Sequence, residues 1–256
     1  MKLKQVAAQL YTLRDYLKTP ADIAASLKKV SDIGYQAVQL SGMGPIYESE
    51  LVRILDGEGL VCCATHENGQ SLLDDPKAII DRLNKLNCIY TAYPYPAGVE
   101  LNSLADVESF ASRLDASGRV LAEAGITLAY HNHHIEFRRF EGELMLDVIY
   151  SHTDPRYLQG EPDTYWIQYG GGDPADWCRK LNGRLPLLHM KDYAVMPDLS
   201  VTYAEVGNGN LNWHEIIHAA QESGCQWYIV EQDECRRDPF ESLKISFDYI
   251  RNNLVD

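Results

Sequence analysis

Several things are missing from this sequence, and each absence narrows the reading. Positive charge is scarce: 23 Lys and Arg stand against 37 Asp and Glu, a formal net charge of -14. Such a surface repels phosphate backbones, so nucleic acid is not an expected partner. No apolar run is long enough for a membrane span. The N-terminus MKLKQVAAQLYTLRD reaches Arg14 and Asp15 without an apolar core segment, so no signal peptide is read there. No GxGxxG occurs, and no GK[ST] follows the Gly207 to Asn210 turn, so neither a dinucleotide site nor a P-loop is supported. Cys62, Cys63, Cys88, Cys178, Cys225 and Cys235 form no CxxC pair, and most lie beside apolar runs where free thiols act as small hydrophobes. The expectation is a soluble protein of a reducing, cytoplasmic compartment. There is no linker, no composition break and no solenoid-type repeat, so residues 1–256 read as one domain.

What the sequence does contain is a repeated alternation of short apolar runs and amphipathic stretches. Strands are predicted at Gln5 to Leu10, Ala37 to Leu40, Leu60 to Thr65, Cys88 to Ala92, Ile126 to Tyr130, Leu158 to Asp163, Leu185 to Met190 and Trp227 to Glu231. Helices fall between them. Thr19 with Pro20 opens the first, Asn102 or Ser103 caps a long one ending near Ala124, and Asn212 caps Trp213 to Glu222. Pro162 makes the sixth strand short or irregular. Tyr193 to Asn210 reads as a long loop. Eight strand-then-helix units over this length imply parallel strands in a single closed (β/α)8 TIM barrel, an α/β fold.

Active sites of such barrels lie at the C-terminal ends of the strands. The strand ends here carry Gln9, Gln39, His66, Tyr93, His131 with His133 and Glu136, Glu161 with Asp163, His189 with Lys191, and Glu231. The stretch ITLAYHNHHIEF is the densest. Strand alternation puts His131 and His133 on one face and Asn132 on the other. Glu, Asp and His on four consecutive strands suit one divalent cation, with Mn²⁺ or Mg²⁺ favoured over Co²⁺ and Zn²⁺ by the carboxylates. Individually, His66 reads more as a pocket or core histidine than a ligand. Lys191 reads as a substrate contact, and Tyr93, Tyr95, Tyr165 and Trp166 read as core residues or, at the mouth, as apolar walls for a sugar ring. Asp192 reads as a loop cap.

The words QLYTLRD, GYQAVQL, AYHNHHIEF, DTYW with GGDPADW, GRLPLLHMKDY, VGNGNLNW and WYIVEQDE run in order from residue 9 to about residue 234. With them the chain resembles the sugar phosphate isomerase/epimerase superfamily, the xylose isomerase-like TIM barrels. The resemblance implies a metal held by Glu, Asp, His and Glu from the fifth to eighth strands. Asp163, His189 and Glu231 match the last three. For the first, Glu136 is the nearest carboxylate, with His131, His133 and Glu161 as alternatives.

The expected activity is metal-dependent isomerisation or epimerisation of an unphosphorylated sugar or cyclitol, through proton abstraction next to a polarised carbonyl. Glu231 is the expected ligand that also moves the proton, with His131, His133 or Glu136 opposite it. Gln9, His66, Tyr93, Glu161, Trp166 and Lys191 are expected around the substrate. Dehydration or keto-glycoside cleavage by the same superfamily is the alternative. A DNA repair nuclease and a non-catalytic sugar-binding barrel stand further off. The sequence leaves homo-oligomerisation open.

Overall fold

The computed structural model describes residues 1–255. Its centre is an eight-stranded parallel sheet of β1 (Val6–Gln9), β2 (Ala37–Leu40), β3 (Val61–His66), β4 (Tyr90–Tyr93), β5 (Thr127–His131), β6 (Leu158–Glu161), β7 (Leu187–Met190) and β8 (Trp227–Val230). The order runs β6-β5-β4-β3-β2-β1-β8-β7. The two ends meet through a parallel bridge between Asp163 and His189, so the sheet is a nearly closed barrel. The helices start where their caps predict. Thr19 and Asp22 bond reciprocally ahead of Pro20–Ile33, and Ser103 and Asp106 do the same ahead of Leu104–Glu123. Among the described residues no helix is long and apolar enough to cross a membrane.

The barrel interior has two layers set by strand parity. The lower layer is small and apolar: Ala7, Ala37, Cys63, Ala64, Ala92, Ala129, Leu187 and Ile229 form one buried cluster. Two residues further along six of the strands stand Gln9, Gln39, His66, His131, His189 and Glu231, all but His66 buried. A strand repeats its face every second residue, so one set lies directly above the other. Strand β3 keeps this parity through a bulge. Val38 pairs with Cys62 and Gln39 with Ala64, so Cys63 is the extra residue and His66 is brought inward.

Three departures from the predicted elements bear on the site. Strand β6 is regular but stops at Glu161, because Pro162 has no N–H for the ladder; Asp163 then caps an unpredicted helix, Thr164–Tyr169. The predicted loop from Tyr193 contains an antiparallel hairpin, Asp192–Val195 with Val201–Ala204. After β1 the chain turns at once into a 3₁₀ segment, Leu10–Tyr16, which carries Tyr11 to the barrel mouth.

Candidate functional site

Four amide and imidazole side chains, Gln39, His66, His131 and His189, gather around the buried Glu161 carboxylate. Gln9 Nε2 donates to Gln39 Oε1 at 2.7 Å, and Gln39 Nε2 donates to Glu161 Oε1 at 2.6 Å. His66 Nε2 stands 2.5 Å from Glu161 Oε2, and His131 Nδ1 stands 3.5 Å from the same oxygen. Burial alone would push Glu161 up, but His189 and His66 outweigh it and hold the carboxyl well below its ordinary value. Gln39 also accepts from His189 Nε2 at 2.7 Å, leaving the other ring nitrogen to face Glu231.

The end of β5 turns out and back within a few residues. His131 is buried beside His189, ring centroids 4.4 Å apart, and its Nδ1 has no hydrogen-bond partner. Burial, then the neighbouring His189, push its pKa down to about 3, so the ring is neutral. His133 is likewise driven down by burial and by His131, and its Nδ1 is also unpartnered. Asn132 points the other way and accepts from the Asp163 backbone N–H at 3.1 Å, tying β5 to the end of β6.

The remaining charges meet at the ends of β6, β7 and β8. His189 Nδ1 lies 3.1 Å from Glu231 Oε2 and 3.8 Å from Asp163 Oδ2. Burial opposes protonation of His189, yet Glu161 and Glu231 raise its pKa to about 10. Lys191 is fully buried, and its Nζ lies 2.9 Å from Asp163 Oδ2, 2.7 Å from Glu231 Oε2 and 2.7 Å from Asp233 Oδ2. The Asp163 contact lacks hydrogen-bond directionality, so that oxygen remains without a directed donor. Burial raises Asp163 to about 6 against the pull of Lys191 and His189, whereas Lys191 and His189 keep Glu231 well below its usual range.

Two overlapping sets of side chains could hold a metal ion: His131, Asp163, His189 and Glu231, and His66, His131, Glu161 and His189. Within each set one ligand atom per residue lies within 4.8 Å of all the others. His131 Nδ1, which has no hydrogen-bond partner, fits a cation as its missing partner. Beside them is a cavity of about 380 Å³ lined by Tyr11, Ser41, His66, Pro94, Tyr95, His131, His133, Glu231 and Asp233.

Most of the predicted site residues converge here, but two do not. Tyr93 is 1% exposed and stacks on Tyr130 with centroids 5.9 Å apart, next to Phe110. It is a core residue, and Tyr95, 45% exposed, lines the cavity in its place. Glu136 belongs to neither candidate metal set. It accepts from Tyr130 Oη at 2.8 Å and from the His133 backbone N–H at 2.7 Å, which occupies its oxygens and orients the His133 loop. Trp166 stands at the rim, its ring centroid 5.3 Å from His133. Sequence reasoning passes over Ser41, and it gives no role to Gln39, Tyr11 and Asp233, although all three stand at strand ends. The parity of Glu231 and Asp233, two residues apart, was the available signal for the last.

The profile of the xylose isomerase-like TIM barrel family matches residues 27–253. An inosose dehydratase of Geobacillus thermodenitrificans is 26% identical over 155 residues, a match covering 54% of this chain and 51% of that protein. The chain thus spans about half the length of that curated relative. A solved sugar phosphate isomerase/epimerase of Parabacteroides distasonis superposes with a TM-score of 0.84 at 22% identity, over 99% of this chain and 96% of that one. A probable 3-DHS dehydratase of Bacillus anthracis superposes with a TM-score of 0.76 at 14% identity, over 99% and 100% of the two chains. At such identities the structures share the fold, while the family profile spans most of the chain. The protein belongs to the xylose isomerase-like TIM barrel family.

Proposed function

We propose that this chain is a divalent-metal-dependent enzyme that moves a proton next to a carbonyl of a sugar or cyclitol, as an isomerase or epimerase. The supporting observation is the convergence of His131, Asp163, His189 and Glu231 beside the cavity at the barrel mouth. These four would hold the ion. Mn²⁺ heads the candidates, followed by Mg²⁺, Co²⁺ and Zn²⁺, on the mix of carboxylate and imidazole. When bound, the ion supplies Lewis acidity that acidifies the C–H next to the substrate carbonyl.

The chain's own groups supply the rest. Glu231 lines the cavity and is held ionised, so its carboxylate takes the proton from carbon. His133 lines the same cavity as a neutral imidazole and exchanges a proton with the substrate oxygen. His131 suits a ligand better than a base, since its unpartnered Nδ1 belongs to both candidate metal sets, whereas His133 belongs to neither. Glu136 fixes the His133 backbone, and Tyr11 and Tyr95 offer aromatic faces to a ring.

One observation favours a lyase as the second reading: the identity with inosose dehydratase. Loss of a proton next to a carbonyl also primes expulsion of a hydroxyl or glycosidic oxygen β to it. Keto sugars, inososes and 3-keto-glycosides should be incubated with Mn²⁺-loaded protein in D₂O and followed by proton NMR. Deuterium next to the carbonyl supports the isomerase or epimerase, and an unsaturated product supports the lyase. No exchange and no product across the panel overturns both.

A further inference from the structure

We infer that Lys191 is a resident cation that exchanges with the metal ion: its ammonium neutralises Asp163 and Glu231 in the ion's absence and withdraws to Asp233 when the ion binds. This rests on the reading of His131, Asp163, His189 and Glu231 as the ion site.

The carboxylates concerned are the same ones. Asp163 Oδ2 and Glu231 Oε2 lie 2.9 and 2.7 Å from Lys191 Nζ. Metal–oxygen bonds are about 2.1 Å, so an ion bonded to either oxygen would stand within about 5 Å of the ammonium. A divalent and a univalent cation at that separation repel strongly in a site where Lys191, Asp163, His189 and Glu231 are all buried. The ammonium therefore cannot keep its present position once those carboxylates carry an ion.

The structure also provides the place it retreats to. Asp233 Oδ2, 2.7 Å from Nζ, belongs to neither metal-ligand set, and the Asp233 side chain is 23% exposed at the cavity wall. The rings of Trp166 and Tyr203 lie 5.6 and 5.9 Å from Nζ and offer their faces to a cation leaving the carboxylates. Lys191 thus has three carboxylate contacts of which metal binding removes two and keeps one. A buried lysine with a single carboxylate would lose its only partner on metal uptake, and a solvated lysine would not compete at all.

Two measurements read this without substrate. The first is Mn²⁺ affinity by calorimetry. Lys191→Met should bind Mn²⁺ about tenfold or more tightly than wild type, because the competitor is gone, while Lys191→Arg, which keeps the charge, should not gain. Equal or weaker binding by Lys191→Met overturns the exchange. The second uses the wild-type protein, in case Lys191→Met fails to fold. Amine acylation mapped by mass spectrometry should be minimal at fully buried Lys191 without metal and should rise several-fold with saturating Mn²⁺. Unchanged labelling at confirmed Mn²⁺ occupancy also overturns it. Absence of Mn²⁺ binding in both wild type and Lys191→Met would instead remove the metal site itself, a failure distinct from equal binding in the two.

Discussion

Two residues separate two kinds of chemistry inside this barrel. Ala129 and His131, Leu187 and His189, and Ile229 and Glu231 are pairs on single strands, pointing the same way. The lower member of each pair packs in an apolar layer, and the upper one carries a charge or an imidazole. The backbone, the helices outside and the burial are shared. What differs is the partner list: methyl groups below, carboxylates, imidazoles and an ammonium above. The lesson is that the lower layer is a dry, small-residue floor. It removes water from beneath the upper layer and so strengthens every electrostatic contact there.

The strongest way to break this contrast is to empty the upper layer. Asp163→Ala, His189→Ala and Glu231→Ala should each lose the divalent ion and lower turnover by about 10²–10⁴-fold. Metal analysis of the purified variants checks this, and full occupancy in all three removes the site. His133→Ala should cost turnover about 10²-fold or more with the ion retained, whereas His131→Ala should lose the ion. The reverse pattern exchanges their roles.

Next in size is the pH dependence of metal uptake. His189 has a metal-free pKa of about 10, so binding the ion must displace its proton at neutral pH. Mn²⁺ affinity should therefore rise by up to about tenfold per pH unit between 7 and 9, as one proton is released. A flat profile in calorimetry would mean His189 is already neutral.

The lower layer is tested by making it resemble the upper. Ala129→Asn puts an amide where no partner exists, at a cost of about 1–3 kcal/mol. A lowered Tm with metal binding intact is the expected result; an unchanged Tm means the floor tolerates polarity.

Smaller in scope is the lone carboxyl beneath the His133 loop. Burial raises Glu136 to about 7, above its unfolded value near 4.5. Its contribution to stability is therefore present below about pH 4.5 and is lost as pH rises through about 7. Denaturation of the wild type should show this loss, of the order of 3 kcal/mol, and Glu136→Gln should flatten the slope. Parallel curves for the two proteins would show that Glu136 titrates alike in the folded and unfolded chain. The smallest expected signal is none: duplex DNA should show no salt-dependent binding to a chain of net charge -14.

Much of this could be read from sequence because period-two parity is a property of residues alone. The eight apolar runs, and the polar group closing most of them, locate the mouth from the residues alone. Asp163, His189 and Glu231 fall together as their strand ends predict. What could not be read depends on bends. The bulge at Cys63 decides which way His66 faces. Pro162 converts the end of β6 into a helix cap, so Asp163 serves two masters, the Trp166 N–H and the charge cluster. Glu136 looked like a ligand by proximity in sequence, but the 3₁₀ turn His134–Phe137 folds it back onto Tyr130. Tyr93 looked like a rim residue, yet it lies inside β4, one residue before the chain reaches the mouth.

The hairpin beyond β7 has a consequence for how such a barrel could change over time. Asp192 accepts from the backbone N–H groups of Gly207, Gly209 and Leu211 and from Trp213 Nε1, which binds both ends of the excursion to one carboxylate. A Cβ on Gly209 would meet Asp192 Oδ1 at 2.3 Å, so the clasp also dictates a glycine there. The tip, residues 196–200, hangs beyond this clasp, with Leu199 83% exposed. Insertions or deletions at the tip would leave the clasp closed and the eight strands in register. The rim could then be lengthened or trimmed by descent, changing what is admitted, while the chemistry beneath is inherited intact.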